Sequence, residues 1–234
     1  MAWSNRNYGS VAGSTANPVQ TSPFSGGLTN PSIITVVVVH NSVGGVLTPT
    51  DTAGNIYHDS GLGPVPYAGS TWALQVFYAV NTQAVVGNVI SIANPNNYTV
   101  YAAAYEFTGG STSGGVDTCA SMGNTQANPA TAGSVGTNIS GDLIFGAAGD
   151  QASVTPMTAA TGFTALSSPN SAYIVAEYET QPSAGTVNAN FVNSGGDNVA
   201  VVAVAFSPFG IPAEEDFWST PNPQFVDPAV SLWA

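Results

Sequence analysis

Lysine is absent from this sequence and Arg6 is its only arginine, against 13 Asp and Glu, which leaves a formal charge of -12 at neutral pH. Such a chain repels nucleic acid and anionic membranes and has no cationic groove to overcome the repulsion, so no nucleic-acid partner is expected. A phosphate-cradling loop would lack its lysine as well. Cysteine is nearly as scarce. Cys119 stands alone, which rules out an intrachain disulfide framework, and it reads as a small, buried or half-buried hydrophobe. Long apolar runs are missing too: Ile33 to Val39, the longest early one, falls far short of the ~20 residues of a membrane helix, so no membrane insertion is expected. Charged residues make up only 6% of the chain, so its solubility must come from Asn, Ser, Thr, Gln and exposed backbone. That texture is shared by secreted proteins, lectin-like modules and virion exteriors. Met1 to Tyr8 show no charged segment leading into an apolar one, so no signal peptide is visible. The expected location is a virion exterior or another extracellular site, reached by assembly and lysis or after removal of an earlier signal.

What is present is strand pattern. Asn198 to Phe206 is apolar on both faces and, at about 3.3 Å per residue, long enough to cross a domain, so it belongs in the middle of a covered sheet. Ile33 to His40 reads the same way. Ser70 to Val80 alternates, with Trp72, Leu74, Val76, Tyr78 and Val80 on one face. Val85 to Ala93, Tyr98 to Thr108, Asp142 to Gly149, Gly162 to Leu166 and Ala172 to Thr180 add further strands, and Thr186 to Asn193 with Val199 to Phe206 reads as a hairpin. The alanine run at 102–104 has β-prone residues before it and Gly109-Gly110 soon after, too little for a stable helix. Roughly nine to eleven strands and no helix predict an all-β fold, an antiparallel β-sandwich of jelly-roll type around one core.

Residues 1–30, without apolar period, read as an N-terminal arm, residues 31–209 as the sandwich, and residues 210–234, rich in proline and aromatics, as a C-terminal arm. Trp3, Tyr8, Phe24, Phe217, Trp218, Phe225, Leu232 and Trp233 are the candidate interface residues, because rigid aromatics anchor contacts at little entropic cost. The segment from Ala102 to Thr108 echoes Val175 to Thr180, and the two read as similar strands of one sandwich, since no loop pattern repeats with them.

Few residues offer chemistry. His40 and His58 lack the companions of a zinc site, and no nucleophile elbow surrounds any serine, so no catalytic residue is assigned. Glu177 and Glu179 share a strand face with Cα atoms roughly 6.5 Å apart, the pairing a glycoside hydrolase or lyase would use, but the favoured reading of both is as solvated carboxylates; Glu106 shares its face with Ala102 and Ala104 near a strand end. Asp51 with Asn55, and Asp197 with Asn198, set oxygen donors in loops and are candidates for a structural calcium, though turn formation explains them too; no other cofactor is expected. Tyr57, Tyr67 and Tyr98 are candidate sugar platforms, whereas Trp72 falls on an inward face. Asn97-Tyr-Thr and Asn138-Ile-Ser match the glycosylation acceptor pattern.

Gly54-Asn-Ile-Tyr, Trp72-Ala-Leu-Gln-Val-Phe-Tyr-Ala, Ala102-Ala-Ala-Tyr-Glu-Phe-Thr-Gly, Gly141-Asp-Leu-Ile-Phe-Gly-Ala-Ala and Val199 to Phe206, taken together, resemble a β-sandwich module of bacterial surface proteins and phage tail or virion exterior proteins. The resemblance spans residues 31–209 and implies a structural or decorating subunit of a phage-like virion or extracellular filament. Its partners would be further copies of the chain or other structural proteins of the particle. The alternatives are a carbohydrate-binding or adhesive module, whose partner is a cell-surface glycan, and the hydrolase or lyase.

Overall fold

In the computed structural model, which describes residues 3–42, 44–80, 82–109, 115–151, 157–168 and 172–208, the apolar alternation becomes strands and, among the described residues, no helix. The first half carries β1 (Ser4–Ser14), β2 (Val19–Gln20), β3 (Ile33–His40), β4 (Pro49–Asp51), β5 (His58–Asp59), β6 (Val65–Tyr67), β7 (Trp72–Val80), β8 (Ile90–Ile92) and β9 (Val100–Thr108). The second carries β10 (Val116–Thr125), β11 (Ala130–Thr137), β12 (Leu143–Gly149), β13 (Thr158–Ala159), β14 (Thr164–Ala165), β15 (Ile174–Thr180), β16 (Gly185–Val192) and β17 (Val199–Phe206). Every strand pairing among them is antiparallel.

The two halves repeat one plan. The first builds a sheet in the order β1-β9-β3-β7-β5, with β6 also on β7, and a small sheet β2-β8-β4. The second builds β10-β17-β12-β15-β14 and β11-β16-β13, so each strand of the first half except β6 has a counterpart. The correspondence extends to irregularities. The β1–β9 register shifts between Asn5 and Asn7 and again between Val11 and Ser14, and the β10–β17 register shifts at the matching places, Val116/Thr118 and Met122/Thr125. It extends to hydrogen bonds as well. Buried Asn94 receives Tyr98 N–H on Oδ1 (2.9 Å), donates Nδ2 to Tyr98 O (2.9 Å) and Ala16 O (3.1 Å), and donates its own N–H to Asn17 Oδ1 (3.0 Å). Buried Asn193 makes the same four bonds with Asp197, Ala127 and Asn128, at 2.9 to 3.4 Å. Each lock ties the turn before the last strand of its half to an Asn-Pro step, satisfying main-chain groups that burial would otherwise strand.

The echo between Ala102–Thr108 and Val175–Thr180 is thus corrected: those segments are β9 and β15, which are not counterparts, and the loop pattern does repeat. The expected β16–β17 hairpin is corrected too, because β16 lies in the small sheet between β11 and β13, while β17 lies between β10 and β12. The central, fully buried position expected for Val199–Phe206 is found.

Among the described residues four sheets enclose three apolar clusters in place of one core. The central cluster lies where the two large sheets face each other, with Ile33, Val37, Val39, Leu74 and Phe107 from one and Phe145, Ile174, Val202 and Phe206 from the other. Tyr78 of β7 meets Phe206 of β17 edge-on (5.4 Å, 65°), and Phe107 of β9 meets Tyr178 of β15 in the same way (5.2 Å, 62°). A contact answered by its exchanged counterpart is the pattern of a twofold-related pair, here made within one chain. A second cluster fills the space under β2-β8-β4 and a third that under β11-β16-β13. Both faces of β3, β12 and β17 are therefore covered, which explains why apolar residues fill both faces of each.

Residues 1–30 depart from the expected arm. Ser4–Ser14 pairs with β9 along its length, Trp3 is buried in the central cluster and Phe24 in the second. An edge strand needs backbone bonds more than apolar side chains, so its polar sequence hides it.

Candidate functional site

Asp51, a calcium candidate, ends β4, and the chain after it turns back so that donors converge on its carboxylate. Oδ1 accepts Asn55 N–H at 2.9 Å; Oδ2 accepts Asn55 Nδ2 at 2.6 Å, Tyr57 OH at 2.8 Å and Asn88 Nδ2 at 3.0 Å. Asn55 Oδ1 is turned away to accept Gln83 N–H at 2.8 Å, which fixes the orientation of its amide. Asn88 Oδ1 takes Thr52 Oγ1 and Ala53 N–H. Asp51 and Asn55 thus form a clamp whose carboxylate is saturated by N–H and O–H groups, and a cation would have to displace them. The clamp joins the loops on either side of Ile56 and Val86, which stand 74% and 86% exposed. Asp197, of the other calcium candidate, spends its main-chain N–H and C=O on the Asn193 lock, and Asn198 keeps a buried Oδ1 without a hydrogen-bond partner.

Glu177 and Glu179 do share a face of β15, which is closed to solvent at Glu177 and half-buried at Glu179. Glu177 is fully buried between its sheet and β16, where a Cβ at Gly146 would stand 3.0 Å from its Cγ. Its Oε2 accepts Ala160 N–H at 3.0 Å and its Oε1 has no partner. Burial lifts its carboxyl to about 8, against the opposing pull of the Ala160 and Asn190 amides. Burial raises Glu179 as well. Glu106 is buried on β9, its Oε1 accepting Thr29 N–H at 2.6 Å. Glu177 and Glu106 are buried and hold loops, so Glu179, half-buried, is left without Glu177 as an open partner for a substrate bond.

His40 is a core residue. Its Nε2 lies 3.1 Å from Gln75 Oε1, which also accepts Leu47 N–H, and burial lowers the imidazole to about 4. His58 is exposed on β5 beside Tyr78. Half-buried Cys119 on β10 has its thiol pushed up by burial and then by Asp59.

Of the candidate sugar platforms, Tyr67 is corrected: it is fully buried and donates its hydroxyl to Asp150 O at 3.2 Å, so no face is left for a ligand. Tyr57 is half-buried with its hydroxyl in the Asp51 clamp, and Tyr98 is half-buried against His40. Trp72, expected on an inward face, packs half-buried against the central cluster near Tyr101 and Tyr173 (6.1 and 6.0 Å), and those two tyrosines stack at 3.7 Å and 14°. Strand alternation could not find this cluster, because it joins the starts of β7, β9 and β15 from both halves. Among the candidate interface residues, Trp3 and Phe24 are spent on the chain's own core and Tyr8 is 40% exposed on edge strand β1, while Phe217, Trp218, Phe225, Leu232 and Trp233 lie outside the described residues.

No helix among the described residues is long and apolar enough to cross a membrane, and none of them form a group of three or more metal-ligating His, Cys, Asp or Glu. Compared with protein-family models, curated proteins and solved structures, the chain matches none.

Proposed function

We propose that the chain is a structural subunit of a virion exterior or extracellular filament, built as two jelly rolls in tandem with their larger sheets face to face. The observation that carries this reading is the doubled strand order. β1-β9-β3-β7 beside β2-β8-β4, repeated as β10-β17-β12-β15 beside β11-β16-β13, distributes strands between two sheets as a double Greek key does. Capsid and lectin domains use that architecture, and a fold alone does not choose between them. Two further features favour assembly. The strand β1 ends its sheet with Tyr8 partly exposed, a ladder onto which a neighbour's extended segment can add, and the aromatic residues after 210 supply such a segment. Charge is sparse outside, and carboxylates such as Asp51, Glu106 and Glu177 hold the body together.

Imaging the native particle by electron cryo-microscopy tests the proposal. The expected map shows residues 210–234 of one copy on the sheet edge or loops of the next. A chain that stays monomeric at high concentration, with Trp218 and Trp233 solvent-accessible in its native source, defeats it.

The second reading is an adhesive module that stacks sugar rings on Trp72, Tyr101 and Tyr173, three half-buried aromatics at one end of the central cluster. Retention on a glycan array that is lost in Trp72→Ala and kept in Tyr98→Ala supports it. Absence of binding across chemically diverse glycans removes it.

A further inference from the structure

Asp117 and Asp142 stand where the two halves differ in charge. Asp142 immediately precedes β12 as Ser32 precedes β3, and Asp117 lies in the first register shift of β10 as Arg6 lies in that of β1. In the first half the place is closed by neutral groups, since the buried hydroxyls of Ser32 and Thr82 share a hydrogen bond. The plan of the fold therefore does not require a carboxylate there.

In the second half, Asp142 is fully buried and neither carboxylate oxygen has a hydrogen-bond partner. Its neighbour is another acid. Val116 and Leu143 both pair with Phe206 from opposite sides, so the register brings Asp117 and Asp142 to the same end of this sheet, and burial followed by the Asp117 charge lifts Asp142 to about 6. Asp117 is held from its far side by Asn138, whose N–H donates to Oδ2 at 2.9 Å and whose side-chain amide donates to Oδ1. The main chain fixes Asp142 as well: Gln181 N–H donates to Asp142 O at 2.8 Å and Gly141 N–H to Gln181 O at 2.7 Å. A fixed, buried carboxylate without donors and beside a second carboxylate is unfavourable unless it takes up a proton or a positive charge joins it. The chain has no lysine to supply one, and its single arginine, Arg6, is exposed on β1.

We propose that Asp142 and Asp117 bind one calcium ion at the entry to β12, with main-chain carbonyls and water completing an all-oxygen shell. Calcium suits the place because it takes hard oxygen ligands in an adaptable number and keeps waters. The proposal is independent of the particle reading, and it moves calcium from the donor-saturated Asp51 to the Asp142 oxygens, which lack donors, beside Asp117, whose oxygens each accept one bond from Asn138 and keep further lone pairs.

The test uses the full chain, stripped with chelator and titrated with calcium chloride by calorimetry and thermal melting. One saturable site is expected, with a melting point about 4 °C higher at ten times the dissociation constant. Asp142→Asn abolishes both signals, Asp117→Asn weakens binding at least about tenfold because it removes one of two anionic ligands, and Asp51→Asn leaves binding unchanged. Asp142→Ser, which installs the residue of the first half, folds without calcium, melts above the stripped wild type and ignores the ion. Absence of saturable binding to the wild type overturns the proposal. So does binding that survives in Asp142→Asn or vanishes in Asp51→Asn.

Discussion

Where the first half buries Phe77, the second buries Glu177, and each is the residue before a tyrosine that packs on a phenylalanine of the opposite half. Where the first half carries Thr35, with a buried hydroxyl that has no partner, the second carries Phe145, which reaches Tyr105 and Phe107 across the central cluster. Side chains at matching places have changed volume, polarity and charge, while the register shifts and the two asparagine locks have not. The fold is therefore specified less by which apolar residue fills a layer than by how the backbone is bonded at the turns.

The sharpest test of that comparison is to cut both locks. Asn94→Ala and Asn193→Ala each leave buried main-chain groups without partners, and each is expected to lower stability by about 3 kcal/mol in urea unfolding. The two losses should agree within about 1 kcal/mol, because mutational costs of like interactions scatter by that much; a lock whose removal changes nothing breaks the equivalence.

Next in size is a contact that joins the halves. A Cβ on Gly123 of β10 would lie 2.3 Å from Pro66 O of β6, the strand that has no counterpart among the described residues. Gly123→Ala should therefore cost about 2 kcal/mol by forcing β10 from β6, measured by the same unfolding curves.

The Phe77–Glu177 difference gives the second half a pH dependence. Glu177 is held protonated to about 8 in the folded chain but ionises near 4.5 when unfolded, so its contribution is present at low pH and lost as pH rises toward 8. His40 acts oppositely, adding stability as pH rises from about 4 to 6.5, and Asp142, raised to about 6, offsets part of that gain. Above about 6.5 Glu177 dominates, and stability should fall by at most about 1.4 kcal/mol per pH unit. Unfolding curves from pH 6.5 to 8 should lose this slope in Glu177→Gln.

The smallest effect belongs to the clamped loops of the first half. Ile56→Ser and Val86→Ser should change stability by less than about 0.5 kcal/mol, since neither side chain is buried. Sedimentation of these variants then reports contacts with other copies apart from folding.

Much of the architecture was legible. Ile33–His40 and Val199–Phe206 announced doubly covered strands because uninterrupted β-branched runs need two dry faces, and the Trp72–Val80 alternation was read strand by strand. Duplication was not legible, because Phe77/Glu177 and Ser32/Asp142 have no chemistry in common and the preserved features are bulges and turns. The Asn-Pro steps at 17–18 and 128–129, each followed at once by a strand, were an available signal. The site residues were harder still. Nothing local distinguishes Asp51, surrounded by donors, from Asp142, surrounded by none, since the partners of Asp142 and Asp117 come together only through the pairing of β10 and β12 with β17.

Fusing two like bodies in one polypeptide keeps them together at any dilution, so their shared face need not be strong enough to hold free partners. It also releases the outer small sheets from symmetry. A pair of identical subunits must show the same surface twice, whereas β2-β8-β4 and β11-β16-β13 can drift apart in sequence and offer a single molecule two unlike faces, each free to meet its own neighbour.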